Sequence, residues 1–158
     1  MQLKEQIFVS QEESTATLQK ILNQYADRLV VVVATSCSGK TTFLKSIKNA
    51  YDMDELFFPF LIKEQADYVC QDPRTPQIGN IMNKRVKEKI KVSLGKPVFG
   101  TVVLDSDIIV YIKVDDALLK ERSLMRNAKF ENIKNMQKHI EEDIQLSTAE
   151  VIELIVTK

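Results

Sequence analysis

A run of aliphatic residues that leads directly into a run of small and polar residues constrains this chain most. Leu29–Val33 is aliphatic and mostly β-branched without polar alternation, which is typical of a strand buried on both faces of a parallel sheet. The next segment, Ala34–Thr42, contains small and polar residues, and an amphipathic pattern then predicts a helix to about Ala50. The sequence therefore predicts a strand, a tight loop and a helix in direct succession.

The segment Ala34–Thr42, called here the 34–42 loop, follows the phosphate-binding pattern GxxxxGK[ST] except that Ala34 replaces the first glycine. Backbone N–H groups at a helix N-terminus favour an anion. Gly39 allows close approach of a phosphate, Lys40 offers a positive charge to its oxygens, and the Thr41 hydroxyl is a ligand for Mg²⁺. The methyl group of Ala34 is tolerated if φ stays negative.

We therefore expect the loop to bind Mg·ATP, and the competing interpretation is a Ser/Thr-rich turn without a ligand. The residues expected to contact the nucleotide are Ala34, Thr35, Ser36, Cys37, Ser38, Gly39, Lys40, Thr41 and Thr42. A thiol among inward-pointing N–H groups ionises more easily, so we also expect thiol reagents to react with Cys37 and block nucleotide binding.

The rest of the chain alternates between helical and strand-like patterns. Residues 11–26 predict an amphipathic helix, with Ser10 and Glu13 spaced as a capping box. The later predicted elements are a helix from Ile78 to Gly95, strand-like runs Val98–Leu104 and Ile108–Val114, a helix starting near Asp115 or Asp116, a last helix with Ile133, Met136, Ile140 and Ile144, and a closing strand Val151–Val156. This order predicts one α/β domain over residues 1–158, a parallel sheet flanked by helices.

One connection conflicts with a simple succession of parallel strands. The runs Val98–Leu104 and Ile108–Val114 are separated only by Asp105, Ser106 and Asp107, whereas a parallel crossover needs about a dozen residues. Either the two runs form an antiparallel hairpin with these three residues as its turn, or only one run is a core strand.

Composition excludes several classes of protein. Lysine plus arginine equals aspartate plus glutamate at 22 each, so no net field attracts nucleic acid or an anionic membrane. The N-terminal residues have neither a basic nor an apolar signal region, and no apolar run approaches the roughly 20 residues needed to span a bilayer. Two cysteines form no disulfide framework. We expect a cytoplasmic protein, and the sequence leaves open whether it forms a homo-oligomer.

Three segments carry a family resemblance: the run ATSCSGKTTFL at 34–44, Tyr68–Asp72, and Tyr111–Asp116 followed by Arg122 and Arg126. Together they resemble the uridine kinase group of P-loop kinases, with nucleoside monophosphate kinases as more distant relatives. The resemblance extends in patches from the aliphatic run to the C-terminus. It implies the three-layer P-loop NTPase fold and a kinase that uses ATP and Mg²⁺ to phosphorylate a hydroxyl or phosphate of a nucleoside or nucleoside monophosphate.

The resemblance also implies roles for individual residues. Asp72 matches the aspartate that closes the second strand and orients the acceptor hydroxyl, although Asp-Pro equally fits a turn. Arg122 and Arg126, spaced i, i+4 within a lid-like segment at 115–130, match a pair in which the first contacts the base and the second the transferring phosphate. A salt-bridged surface helix is the alternative. Asp105 fits either the acidic Mg²⁺ position or a turn.

Two functions follow from these patterns. In the first, Lys40, Asp72 and Arg126 carry phosphoryl transfer to a small-molecule acceptor. In the second, the chain is a nucleotide-binding regulatory module that keeps the phosphate loop without acceptor chemistry. Neither involves nucleic acid or a membrane.

Overall fold

Most element boundaries follow the local patterns of the sequence. The structure, a computed structural model, describes residues 4–35, 37–57, 84, 87 and 90–157. The strands are β1 (Lys4–Ser10), β2 (Val30–Ala34), β3 (Tyr51–Asp52), β4 (Val98–Gly100), β5 (Ile108–Val114) and β6 (Glu150–Thr157). The helices are α1 (Gln11–Gln24), α2 (Lys40–Ser46), α3 (Met53–Phe57), α4 (Asp116–Met125) and α5 (Phe130–Leu146). None of these helices combines the length and apolar character needed to cross a bilayer.

The aliphatic run at 29–33 lies at the centre of the sheet. Within the described ranges, six strands pair in the order β1-β6-β5-β2-β4-β3, and every pair is parallel. All five residues of β2 are buried, as a strand covered on both faces requires. The predicted α/β class, with a parallel sheet flanked by helices, is therefore confirmed.

Side chains that alternate along the strands divide the core into two layers. On one face Val30 and Val32 of β2 lie in a cluster with residues of α1, α2 and α4, including Leu18 and Leu119. On the other face Val31 and Val33 lie in a cluster with Met53 of α3 and with Ile140 and Ile144 of α5. The period of two along each strand thus gives the sheet a helical layer on each face.

The connection between β4 and β5 differs from both alternatives offered by the sequence. The two strands are parallel and lie on opposite sides of β2, so the expected hairpin and the single core strand are both wrong. Residues 101–107 cross the face of β2, where Val102, Val103 and Leu104 are buried against Val31 and Val33. Seven extended residues span about 23 Å, which is enough to cross two strand spacings of about 4.8 Å each and to return along the length of β4. A crossover without a helix therefore fits in seven residues.

Asp107 fixes the end of this crossover to the start of β2. Its carboxylate oxygen Oδ2 accepts a hydrogen bond of 3.0 Å from the backbone N–H of Leu29, and its own N–H donates to the Leu29 carbonyl at 2.9 Å. The sequence offered this aspartate only as part of a turn. In the structure it sets the register between β2 and β5.

Strand β1 is an element that the sequence patterns did not predict. It pairs in parallel with β6 at the edge of the sheet and is polar over its first three residues. Glu153 of β6 is only 4% exposed, and its carboxylate accepts 2.8 Å bonds from the Lys4 ammonium and the Gln6 amide. Burial raises the pKa of Glu153, but these hydrogen bonds outweigh burial and hold the pKa below its ordinary value.

The remaining predicted boundaries are met to different degrees. The helix at 11–26 is confirmed as α1, and the hydroxyl of the preceding residue, Ser10, accepts a 3.3 Å hydrogen bond from the Glu13 N–H. The last helix and the closing strand are confirmed as α5 and β6. Helix α2 ends at Ser46, so its expected extension to Ala50 is wrong. The Ile78–Gly95 helix falls largely outside the described residues. Of its described residues, Lys84 and Lys87 are helical, whereas residues 90–92 are not, and Gly95 has φ +71° in a turn.

Candidate functional site

The 34–42 loop lies at the carboxyl edge of the sheet, directly after the central strand. Strands β3 and β4, which follow the loop in sequence, pair on one side of β2, whereas β5 and β6 pair on the other side. In open parallel sheets, ligands bind beyond the carboxyl ends of strands where successive connections change sides. The fold therefore places the loop at the position where such sheets accept ligands.

The sign of the backbone angle φ alternates along the loop. Cys37 has φ +64° and Gly39 has φ +91°, whereas Ser38 between them does not have positive φ. Alternation in the sign of φ is one requirement of a nest, a concavity formed by successive N–H groups that suits an anion. The Ser38 hydroxyl donates a 2.6 Å bond to the Thr35 carbonyl and closes the turn. Ala34 is the last residue of the extended strand β2, so its methyl group meets the condition of negative φ.

Side chains of the loop divide into buried and accessible sets. Thr35, Cys37 and Ser38 are buried, whereas Lys40 is half-buried and Thr41 is exposed at the start of α2. The buried residues shape the loop, whereas Lys40 and Thr41 keep contact with solvent. Thr42 is also exposed, and Ser36 lies outside the described residues.

Burial of Cys37 counts against the expected reactivity of its thiol. The side chain is only 4% exposed and packs in the same cluster as Phe43 and Leu118. A thiol reagent reaches such a group only when the loop opens. The sulfur is therefore part of the core, and the contribution of Cys37 to a ligand site comes from its backbone.

Arg122 of α4 contacts the loop directly. Its Nη1 donates a 3.1 Å bond to the Cys37 carbonyl, and its Nη2 donates a 2.9 Å bond to the side-chain oxygen of Gln11. The same Nη1 lies 3.7 Å from the position that a Cβ would occupy on Gly39. Burial and the neighbouring Arg126 lower the pKa of Arg122, but a guanidinium remains charged at any physiological pH.

Arg126 lies one turn further along and is exposed. The acid in the first turn of the same helix, Asp116, pairs with Lys134 at 2.8 Å and not with either arginine. The structure thus brings Arg122 to the loop and leaves Arg126 exposed at the end of α4.

The two carboxylates expected at the site have different outcomes. Asp105 is exposed and lines a cavity with Ser147 and Thr148, which immediately precede β6. It therefore lies at the amino edge of the sheet, whereas Thr41 follows the carboxyl edge. Because parallel strands separate these two edges, Asp105 and Thr41 do not share a metal ion, and the metal-ligand expectation for Asp105 is wrong. Asp72 lies outside the described residues.

One carboxylate at the carboxyl edge was missed. Asp52 is half-buried and closes β3, the first strand after the loop, with its Cα paired to Phe99 of β4. A strand of only two residues carries no periodic signal, so Asp52 could not be recognised from the sequence pattern.

A bound Mg²⁺ would rely mainly on its nucleotide. Within the described ranges no three His, Cys, Asp or Glu side chains come close enough to form a metal site. Thr41 offers one hard oxygen donor, and Mg²⁺ typically takes few protein ligands beside phosphate oxygens and water. The Thr41 hydroxyl therefore fits a Mg²⁺ that arrives with the nucleotide.

Comparison with known proteins adds no family. No family model matches the chain, and no curated protein is similar to it in sequence.

Proposed function

We propose that the chain is a P-loop nucleotide-binding protein that acts as an ATP-dependent kinase on a nucleoside or nucleoside monophosphate. The observation that carries this proposal is the 34–42 loop, which combines positive φ at Cys37 and Gly39 with Lys40 at the first position of α2. It follows the central strand at the carboxyl edge, where sheets of this kind bind ligands. The strand order on either side of β2 is consistent with the three-layer P-loop NTPase fold.

Each accessible residue of the loop has a role in this proposal. Backbone N–H groups of residues 37–40 bind the β-phosphate, and the Lys40 ammonium offsets charge on the β and γ oxygens. The Thr41 hydroxyl contacts the Mg²⁺ that accompanies the nucleotide. Arg126, exposed at the end of α4, reaches the transferring phosphate when the 115–130 segment moves toward the loop.

The acceptor group requires a carboxylate that orients its hydroxyl and accepts its proton. The resemblance to uridine kinases assigns this role to Asp72. Asp52 is the competing residue, because it closes the first strand after the loop at the carboxyl edge. Replacing each aspartate separately by asparagine distinguishes them, since only one change removes acceptor-dependent turnover while leaving ATP affinity nearly intact.

A second function is a regulatory module that binds nucleotide without transferring phosphate. The location of Asp105 favours this alternative, because the acid that the sequence offered for Mg²⁺ lies at the opposite edge of the sheet. In either case we expect a cytoplasmic protein whose partners are small molecules, and a homo-oligomer is compatible with both.

The test measures ADP production from Mg·ATP with and without a panel of nucleosides and nucleoside monophosphates. Turnover that depends on one acceptor class and is lost in the Lys40→Ala variant supports the kinase. Binding of Mg·ATP without turnover on any acceptor rejects the kinase and supports the module. Absence of both binding and turnover rejects both functions.

A further inference from the structure

The Arg122 guanidinium connects three segments that are far apart in the sequence. It belongs to α4, donates to the carbonyl of Cys37 in the 34–42 loop at 3.1 Å, and donates to Gln11 at the start of α1 at 2.9 Å. The sequence separations are 85 and 111 residues. Gln11 was not among the residues that the sequence indicated for the site.

Both acceptors of Arg122 in these bonds are neutral. A peptide carbonyl and a side-chain amide orient a guanidinium through its planar fork of N–H groups but add no negative charge. A carboxylate at the position of Gln11 would orient the same fork and also cancel its charge. The amide of Gln11 therefore orients Arg122 without offsetting its positive charge, on which the carboxylate of the preceding residue, Glu121, also acts.

Gln11 is itself held in place. It is the first residue of α1, where the Ser10 hydroxyl caps the Glu13 N–H and the Ser14 hydroxyl donates a 2.7 Å bond to the Gln11 carbonyl. Strand β1 ends at the preceding residue and pairs along its whole length with β6. The sheet thus fixes the start of α1, and with it the amide that receives Arg122.

We infer that Gln11 is a positioning residue, whose neutral amide holds Arg122 beside the 34–42 loop so that the charge of Arg122, which neither of these two acceptors cancels, acts on the phosphates of the bound nucleotide. The inference rests on the proposed function, because it requires a polyphosphate in the loop. It makes the β1–α1 unit part of the nucleotide site, and it assigns the charge of Arg122 to phosphate and not to the base.

The variant that separates this role from simple packing is Gln11→Glu. Glutamate keeps the acceptor for Arg122 and suits the first turn of a helix, so the melting temperature is expected to stay equal or rise. The cancelled charge is expected to weaken Mg·ATP binding about tenfold in isothermal titration calorimetry. A residue with a purely structural role does not lower affinity while stability is kept.

Two further variants complete the test. Gln11→Leu removes the acceptor, and we expect a lower melting temperature together with weaker Mg·ATP binding; in an Arg122→Ala background its effect on affinity should vanish. Gln24→Glu adds the same charge at the far end of α1, about 20 Å from Gln11 along the helix, and should leave affinity within about twofold of wild type.

The outcomes distinguish the inference from the proposed function. If wild type binds Mg·ATP, Lys40→Ala abolishes binding and Gln11→Glu binds as tightly as wild type, the inference is overturned and the proposed function stands. If Gln11→Glu and Gln24→Glu weaken binding equally, net charge and not position is responsible, which also overturns the inference. If wild type binds no Mg·ATP, both are overturned.

Discussion

Gly39 offers the sharpest test of the loop geometry, because two possible costs of adding a side chain can be separated there. A Cβ at Gly39 would lie 3.6 Å from Phe43 and 3.7 Å from Arg122, which are ordinary van der Waals contacts. The backbone has φ +91°, a conformation that side chains disfavour. Gly39→Ala therefore acts through backbone strain and not through a clash.

The expected cost follows from that strain. A non-glycine residue at positive φ costs about 1–2 kcal/mol, which for a chain of 158 residues corresponds to a fall in melting temperature of about 3–6 °C. Relaxation of the strain should also flatten the nest and weaken Mg·ATP binding. Thermal unfolding followed by circular dichroism measures the first effect, and calorimetric titration measures the second.

Gly95 provides the matched control. It also has positive φ, +71°, and a Cβ there would lie 3.3 Å from the Ala26 carbonyl, but Gly95 lies in the turn before β4, away from the 34–42 loop. Gly95→Ala should therefore destabilise at least as much as Gly39→Ala and leave nucleotide affinity unchanged. Equal affinities in both variants would show that the conformation of Gly39 does not matter for nucleotide binding, and an unchanged melting temperature in Gly39→Ala would show that the backbone there is not strained by a side chain.

Three other predictions concern the framework around the site. Glu153→Gln should lower the free energy of unfolding at neutral pH. Because bonds from Lys4 and Gln6 lower the pKa of Glu153 in the folded state, the difference from wild type should be complete above the ordinary glutamate pKa and should shrink as the pH falls. A difference that does not depend on pH would contradict this assignment. Asp107→Ala should lower the free energy of unfolding, measured in urea, by about 1 kcal/mol, because it removes the carboxylate that accepts a hydrogen bond at the start of β2. Asp105→Ala should change it by less than about 0.5 kcal/mol. The reverse order would show that the crossover is anchored elsewhere. Asp105→Asn should leave the Mg²⁺ dependence of ATP binding unchanged, and a shift in that dependence would return Asp105 to the metal site.

The elements with strong periodicity were predictable from the sequence alone. The aliphatic run at 29–33, the helix with Ile133, Met136, Ile140 and Ile144, and the closing strand appear where local patterning and burial agree. The order of strand, loop and helix around Gly39 was also predictable. A tight loop of this kind requires a glycine at positive φ and small neighbouring residues, and both requirements are visible in the local sequence.

The rest depends on contacts between distant segments. Strand β1 is polar because it lies at the edge and supplies Lys4 and Gln6 to a buried glutamate, so no alternation marks it. The apolar pattern of Val102–Leu104 predicts a strand, because apolar residues are usually buried. In the structure these residues are buried because they cross the face of β2. Likewise, an exposed glutamine at the start of a helix gives no sign that it receives an arginine 111 residues away.

The proposed role of the 34–42 loop is to bind a polyphosphate through its backbone. Titration of the ¹⁵N-labelled protein with Mg·ATP, followed through backbone amide chemical shifts, tests this role residue by residue. We expect large, saturable shifts for the amides of Ser38, Gly39 and Lys40, with Gly95 and Ile108 at the opposite edge unaffected, and loss of these shifts in Lys40→Ala. Shifts centred on the opposite edge, or none at millimolar Mg·ATP, would contradict it.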